Sequence, residues 1–259
     1  TSAPKGPSAL DLSGLGCAGL SLAEIAQLPS EFARTALLAQ QAGFGGVQIH
    51  AAHGFLLSQF LSPLFNRRSD AYGGSITNRM RLLLETIEAV RAAVGPKFPI
   101  AVKLNSSDQL EGGFSEEDAL KVVAALDQTS IDLIDISGGT YFPGARSASD
   151  RAGGGPYFLD FAKRCGAVDV VGLARALVLE PSLPGLWKSD RKPQPKFPRF
   201  VDAPEGGITA WYTMRLTRIG ADAETERVED LPQAVRDYEA RDKARTEIWL
   251  RHFSDAVTR

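Results

Sequence analysis

Two histidines stand three residues apart at the end of a short apolar segment. The segment GVQIH, residues 46–50, is typical of a short buried strand; His50 ends it and His53 lies just beyond it. Imidazoles at a strand end could hydrogen-bond a carbonyl or phenolate oxygen and stabilise developing negative charge. From their spacing alone, the two histidines are as well explained by a purely structural role as by a role in ligand binding. A zinc site is disfavoured, because no cysteine or third histidine is placed to complete it.

Two further segments could bind anions. Lys103 ends the predicted strand 99–105, where a cation could hold an anionic ligand or a reduced cofactor, although it could also be a solvated lysine. Gly172 lies in the apolar segment 168–174, and Arg175 begins the helix-like RALVLE that follows. Backbone N–H groups, a helix dipole and an arginine together form a phosphate cradle, although an ordinary strand–helix corner also favours glycine.

The elements that position these residues follow from periodicity. Strands are predicted at 46–50, 99–105, 131–137 and 168–174, and helices between them at 76–94, 115–126 and 157–164. Strands that alternate with helices predict an α/β protein with a parallel sheet, whose ligands bind at the carboxyl ends of the strands.

The flanking segments are less regular. Residues 1–20 are predicted to be an irregular lead-in rich in Gly, Ser and Pro. Ser21 and Glu24 have the spacing of a capping box, and Pro29 is expected to interrupt the helix they open, with a second start at Ser30. The polar loop that follows His53 is expected to be pinned by a structural network of Arg67, Arg68, Asp70, Asn78 and Arg79.

Composition excludes several function classes. A net charge of -2 over 259 residues gives no reason to expect a nucleic-acid partner. The two cysteines form no metal-binding spacing and fit a reducing compartment. No apolar run approaches the ~20 residues that a membrane span needs, and the first residues do not form a signal peptide. A cytoplasmic protein without a membrane or metal partner is therefore expected.

Four segments together resemble the old yellow enzyme family, the NADH:flavin oxidoreductases that include FMN-dependent ene-reductases. The residues that carry the resemblance are GVQIHAAHGFLLSQFLSPLFNRRSDAYGGSITNRMRLLLE, VKLNSSDQLEGGFSEEDA, LIDISGGTY and GAVDVVGLARALVLEP. They occur in the family's order and cover most of residues 8–190. The stretch AWYTMRLTRIG, residues 210–220, is similar to the C-terminal region of one subgroup.

The resemblance implies a (β/α)8 TIM barrel of the FMN-linked oxidoreductase type. In the family, NAD(P)H reduces FMN, and the reduced flavin transfers a hydride to the β-carbon of an α,β-unsaturated carbonyl compound. Five residues are expected to contact FMN. Lys103, which stands where most members have arginine, is expected near the pyrimidine side of the flavin. Gly138 and Gly139 are expected beside the ligand, and Gly172 and Arg175 at the phosphate. A small enone-type substrate and a homo-oligomer are the expected partners.

The expected catalytic residues depart from the family pattern at one position. His50 and His53 match the residues that bind the substrate's carbonyl oxygen, but Phe55 replaces the tyrosine that protonates the α-carbon. Phenylalanine cannot donate a proton, so reduction would need water or another acid. An isomerase or dehydrogenase outcome is the alternative.

The barrel is also expected to be incomplete. By comparison with the family, the chain keeps strands four, five, six and eight, and an internal deletion is expected at Cys165–Gly166. Residues 1–190 are expected to form the flavin-binding half of a barrel, and residues 191–259 a Pro-rich linker with a helical extension that packs on it. An inactive remnant or interaction module that does not hold FMN is a further alternative, because an open barrel exposes sheet edges.

Overall fold

The computed structural model describes residues 4–12, 15–140, 142, 158–166, 175–189, 191, 198, 200, 202–204, 206–221, 223 and 230–257. The chain forms two compact units, Thr1–Asp169 and Val170–Arg259. The domain boundary expected at 190/191 lies inside the second unit and stays a prediction.

The first unit opens with a small sheet. Its strands are β1 (Lys5–Gly6), β2 (Leu10–Leu12) and β3 (Leu15–Gly19). The strand β3 lies in the middle, parallel to β1 and antiparallel to β2. The prediction of an irregular lead-in is therefore wrong for these residues. Strands this short are defined by their pairing, and glycines and serines carry no periodic signal for it.

The first helix, α1 (Leu22–Gln41), begins as predicted and continues past the point where it was expected to break. Ser21 and Glu24 form the capping box, each side chain accepting a hydrogen bond from the other residue's backbone N–H. Pro29 lies inside the uninterrupted helix, so the predicted second start at Ser30 is wrong. A proline costs a helix interior about 3 kcal/mol. The cap and a face packed on the later helix Arg81–Val94 outweigh that cost; its buried residues are Ile25, Ala33 and Ala36.

The alternating part of the first unit follows the predicted order. Its elements are β4 (Val47–Ala51), α2 (Leu56–Leu61), α3 (Ile76–Arg79), α4 (Arg81–Val94), β5 (Ile100–Asn105), α5 (Glu116–Leu126) and β6 (Leu133–Ser137). The predicted helix 76–94 is divided at Met80, which ends α3 and precedes α4. The three strands form a parallel sheet in the order β4-β5-β6.

The two faces of this sheet differ in chemistry, because successive side chains of a strand alternate between faces. One set of alternating positions is apolar and belongs to the main core, which also includes α1, α4 and α5. Its fully buried members on the central strand are Ile100, Val102 and Leu104. The other set carries Gln48, His50, Lys103 and Asp135. The second face therefore presents the polar groups of the predicted site.

The long loop between α2 and α3 is held by the expected arginine network. Arg68 binds Asp70 through Nε and Nη2, the latter 2.6 Å from Oδ2. Arg79 is buried and pairs with Asp118, its Nη2 lying 2.6 Å from Oδ2. Asn78 donates from Nδ2 to the carbonyl of Gly73. The structural interpretation is confirmed for Arg68, Asp70, Asn78 and Arg79, whereas the exposed Arg67 donates from Nε to the carbonyl of Leu64 at 3.4 Å.

The remaining helices are α6 (Leu159–Cys165), in the first unit, and α7 (Arg175–Leu179), α8 (Leu183–Lys188), α9 (Gly207–Gly220) and α10 (Leu231–Val257), in the second. The second unit has its own small core, formed by Val178, Leu179, Ala210, Trp211, Tyr212, Leu231 and Ala234. The predicted strand 168–174 lies outside the described residues.

Across the described ranges, no helix is both long enough and apolar enough to span a bilayer. Nor do those ranges bring three or more His, Cys, Asp or Glu side chains together as a metal site.

Candidate functional site

A row of polar residues crosses the three parallel strands at one level. The strand register pairs His50 with Lys103 and Lys103 with Asp135. The Lys103 ammonium lies 2.6 Å from Asp135 Oδ2, and Gln48 donates from Nε2 to the same oxygen at 3.1 Å. Lys103 is therefore a partly buried, ion-paired group rather than a solvated lysine. Its charge is balanced by a carboxylate on the neighbouring strand.

The structure brings the three predicted catalytic positions together at the carboxyl end of β4. The rings of His50 and His53 are 5.2 Å apart in an edge-to-face arrangement. The ring of Phe55 lies 4.8 Å from that of His50 and is 49% exposed. An apolar ring therefore stands beside two imidazoles, at the position where the family has a phenol. The roles of all three residues stay predictions.

His53 lies in a sharp turn that requires an unusual backbone. Its φ is +60°, and that of Gly54 is +80°. A side chain at position 54 would bring a Cβ within 2.8 Å of Phe142 Cε2, so this position needs glycine both for its conformation and for space. The turn directs the His53 ring to Ser137 at the end of β6, where Nε2 and Oγ are 2.7 Å apart and share a hydrogen bond.

Electrostatics keep both histidines neutral at pH 7. Burial lowers the pKa of His50, and the nearby Lys103 charge lowers it further, while Asp135 opposes the shift. Burial also lowers the pKa of His53, followed by the effects of His50 and Lys103, against Asp135. Among the described residues, the buried Nδ1 of His50 has no hydrogen-bond partner. A neutral imidazole with an unengaged nitrogen can bind an uncharged ligand oxygen or N–H.

These shifts predict a loss of stability in mild acid. A histidine whose folded-state pKa lies below its unfolded value of 6.5 binds fewer protons when folded, so its contribution is complete above pH 6.5 and is lost as the pH falls. We expect the urea midpoint to decline below pH 6.5, well above the ordinary glutamate pKa of 4.5 at which those carboxylates are half protonated. A double variant, His50→Gln with His53→Gln, should show a flatter profile in that window. An unchanged profile would contradict the assignment.

The predicted cofactor residues have mixed outcomes. Gly139 follows β6, has a φ of +82°, and accepts a hydrogen bond from Asn105 Nδ2 at 2.7 Å. Gly138 lies between it and the strand. Gly172 lies outside the described residues, and of Arg175 only the backbone, which begins α7, is described. The structure therefore brings Lys103 and the two glycines of the β6 end to the histidines, and leaves the phosphate cradle a prediction.

Sequence reasoning missed three polar residues of this site: Asn105, Asp135 and Ser137. Each belongs to a strand, and each finds its partner more than thirty residues away, on another strand for Asp135 and in the loops after β4 and β6 for Asn105 and Ser137. Strand parity could have identified them, because Lys103 and Asn105 are two apart on β5, as are Asp135 and Ser137 on β6. The same parity places Gln48 with His50.

Known proteins resemble part of this chain. It is 37% identical over 202 residues to the NADH-dependent flavin oxidoreductase iliE of Hypocrea jecorina, covering 64% of this chain and 50% of that protein. It is 41% identical over 121 residues to the NADPH dehydrogenase of Halalkalibacterium halodurans, covering 46% of this chain and 35% of the relative. The chain spans about a quarter to a half of the length of three flavin oxidoreductase relatives that it matches.

Solved structures show the same fold. A 2-naphthoyl-CoA reductase complex superposes with a TM-score of 0.64 at 27% identity, covering 73% of this chain and 33% of that one. The old yellow enzyme homologue from Zymomonas mobilis gives 0.60 at 24% identity, covering 79% and 67%. Morphinone reductase in complex with tetrahydroNAD gives 0.57 at 25% identity, covering 76% and 62%. The predicted α/β architecture, a partial barrel of this type, is confirmed.

A protein-family model matches more than half of the chain. The model of the NADH:flavin oxidoreductase / NADH oxidase family matches residues 4–158, which include both histidines, Lys103 and the end of β6. Together with the fold and the relatives, this match confirms the resemblance. The chain belongs to the NADH:flavin oxidoreductase / NADH oxidase family.

Proposed function

We propose that this protein is an FMN-dependent oxidoreductase that uses NAD(P)H to reduce activated alkenes, α,β-unsaturated carbonyl compounds among them. The observation that carries the proposal is the edge-to-face pair of neutral histidines at the carboxyl end of a parallel strand, beside an ion-paired lysine on the next strand. The family binds FMN, and its relatives include NADH- and NADPH-dependent enzymes. We further propose that it acts in the cytoplasm as a homo-oligomer.

The described residues fit the ring end of FMN. The unengaged Nδ1 of His50 and the polar row of Gln48, Lys103 and Asp135 supply groups that a heterocycle with carbonyl and N–H edges can use. In this proposal Lys103 lies near the pyrimidine edge. Gly138 and Gly139 flank the ring, and Gly172 and Arg175 hold the phosphate. Once bound and reduced by NAD(P)H, FMN supplies the hydride for the β-carbon of the alkene.

The chain's own residues orient and polarise the substrate. An N–H of His50 or His53 donates to the carbonyl oxygen and stabilises the negative charge that develops there as the β-carbon accepts a hydride. Both imidazoles are neutral at pH 7, because burial and Lys103 lower their pKa values, so they act as hydrogen-bond donors rather than as cations. Phe55 contributes an apolar ring beside His50. It cannot deliver the proton that the α-carbon needs, so that proton comes from solvent.

The first experiment is reconstitution with FMN. Purified protein is incubated with FMN, separated from free cofactor by gel filtration, and examined for flavin absorbance. We expect bound flavin that NADH or NADPH bleaches under anaerobic conditions and that an enone reoxidises. Protein that emerges colourless after reconstitution would contradict the proposal. A His50→Ala/His53→Ala variant that keeps its flavin and loses reoxidation by the enone would assign the carbonyl-binding role.

A second candidate function follows from Phe55. A site that can add and remove a hydride but has no acid at position 55 favours an isomerase or dehydrogenase outcome, because the carbanion-like intermediate outlives the hydride step. Product analysis separates the two functions. Isomerisation consumes no net nicotinamide and shifts the double bond, whereas reduction consumes one NAD(P)H for each saturated product.

A third hypothesis is an inactive remnant or interaction module. Within the described part of the chain, β4 and β6 each have a single strand neighbour, and open edges favour association. This hypothesis predicts that the protein self-associates as its concentration rises and binds no flavin. A dispersed, flavin-loaded protein would exclude it.

A further inference from the structure

The side chain of Asn105 connects the two loops that carry the candidate site. This residue ends β5, the central strand, and is only 1% exposed. Its Oδ1 accepts a hydrogen bond from the backbone N–H of His53 at 3.3 Å, and its Nδ2 donates to the carbonyl of Gly139 at 2.7 Å. One amide therefore binds the loop after β4 with one end and the loop after β6 with the other.

Of the two bonded residues, His53 has a backbone conformation that residues other than glycine rarely adopt, whereas glycine adopts it readily. His53 has a φ of +60° and Gly139 a φ of +82°. A left-handed conformation at a residue other than glycine persists only where its surroundings fix it. An isolated parallel bridge between His53 and Thr140 joins the same two loops. The bond between the His53 ring and Ser137 Oγ, at 2.7 Å, depends on this placement.

We propose that Asn105 is a positioning residue that fixes the His53 imidazole against Ser137 by clamping the loops after β4 and β6 onto the end of β5. The inference deepens the proposed function, and rests on it in so far as His53 binds the substrate oxygen. The amide is suited to this task because it offers one acceptor and one donor in a fixed plane. A buried apolar residue could fill the same space but would remove the hydrogen bonds that Asn105 makes with the His53 N–H and the Gly139 carbonyl.

The test is the titration of His53 in an Asn105→Ala variant, followed by imidazole NMR. The chain has three histidines, so His53→Gln identifies the resonance by its loss. Three groups near His53 influence its protonation: His50 and the charge of Lys103 oppose it, and Asp135 favours it. The Asn105→Ala variant changes none of them. We expect the midpoint to move up, toward that of a free imidazole, as the ring leaves its half-buried position. In the reconstituted enzyme we expect kcat with an enone to fall about a hundredfold, the scale of a misplaced catalytic group.

Asn66 provides the matched control. It is also a buried asparagine, 3% exposed, whose Nδ2 donates to the backbone carbonyls of Phe60 and Tyr72 away from the histidines. Asn66→Ala should lower stability and leave the His53 midpoint unchanged. An unchanged midpoint in Asn105→Ala, or an equal shift in Asn66→Ala, would overturn the inference. If Asn105→Ala does not fold, Asn105→Ser against Asn66→Ser makes the same comparison. A shifted midpoint in a protein that binds no FMN would refute the proposed function and leave the positioning role standing.

Discussion

Replacing Gly73 by alanine is expected to lower the free energy of unfolding by about 3 kcal/mol, the upper range for overpacking. A Cβ at this position would lie 2.1 Å from the carbonyl oxygen of Arg68 and 2.5 Å from its carbonyl carbon. Both are backbone atoms, so no side-chain rotation relieves the overlap. The loop must move, and Arg68 must move with it.

The displacement of Arg68 should weaken other parts of the fold, because its side chain is hydrogen-bonded to several segments of the chain. Its Nη1 donates to the carbonyl of Pro7 at 2.7 Å and to that of Leu20 at 2.6 Å, while Nε and Nη2 bind Asp70. A shift of this residue therefore loosens both the segment that follows β1 and the segment that begins α1. Urea denaturation followed by circular dichroism measures the effect.

Gly45→Ala is the control for that measurement. No heavy atom of the described residues lies within 4 Å of a Cβ placed at Gly45, so the added methyl group meets none of them. We expect its urea midpoint to stay near that of the parent protein. Equal midpoints for the two alanine variants would show that the loop at Gly73 yields at little cost, contrary to the packing described above.

Replacing Phe55 by tyrosine is expected to raise the rate of saturated product formation by about a hundredfold to ten-thousandfold, the range for a positioned general acid. Phe55 stands before the first turn of α2, with its ring 4.8 Å from that of His50. Because this side chain is 49% exposed, a hydroxyl can be added without burying it unpaired. The tyrosine O–H would protonate the α-carbon while the β-carbon accepts the hydride.

Single-turnover product analysis of the FMN-loaded protein checks this prediction. Phe44→Tyr is the matched control, since Phe44 is 66% exposed and precedes β4 at the opposite end from the histidines. It should leave both rate and product unchanged. If Phe55→Tyr also leaves the product distribution unchanged, the proton already arrives by another route, and the isomerase hypothesis built on Phe55 loses its basis.

The parts of the fold that could be predicted are those with local, repeated signals. The helix α4 shows apolar side chains at helical spacing, and its buried residues include Leu83, Ile87, Val90 and Val94. The buried strand β5 is a short apolar run between turn residues. By contrast, Pro29 predicted a break that the capped, packed helix α1 does not have. Tertiary packing decided that outcome, and a local rule for proline does not include packing.

The residues of the candidate site also fall into those that the sequence could predict and those that it could not. His50, His53 and Lys103 could be identified because they end apolar segments and match a family pattern. Strand parity could have placed Asn105 and Ser137 on the same face as Lys103 and Asp135, but it could not have predicted their contacts with His53, because each acts from a strand that is distant in sequence. The pairing of Lys103 with Asp135 likewise depends on the register of two parallel strands, and no feature near either residue specifies it.

The pairing of Lys103 with Asp135 also affects how a ligand reaches the site. The lysine and the carboxylate cancel, and the two neighbouring histidines are neutral at pH 7 because burial lowers their pKa values. These four groups therefore produce little net electrostatic field in the solvent at the carboxyl end of the sheet. Long-range steering of a ligand needs such a field. These four groups should therefore add little to the ionic-strength dependence of association, even for a charged ligand. Selection among ligands then occurs at contact, through shape and hydrogen bonds, rather than during diffusion toward the protein.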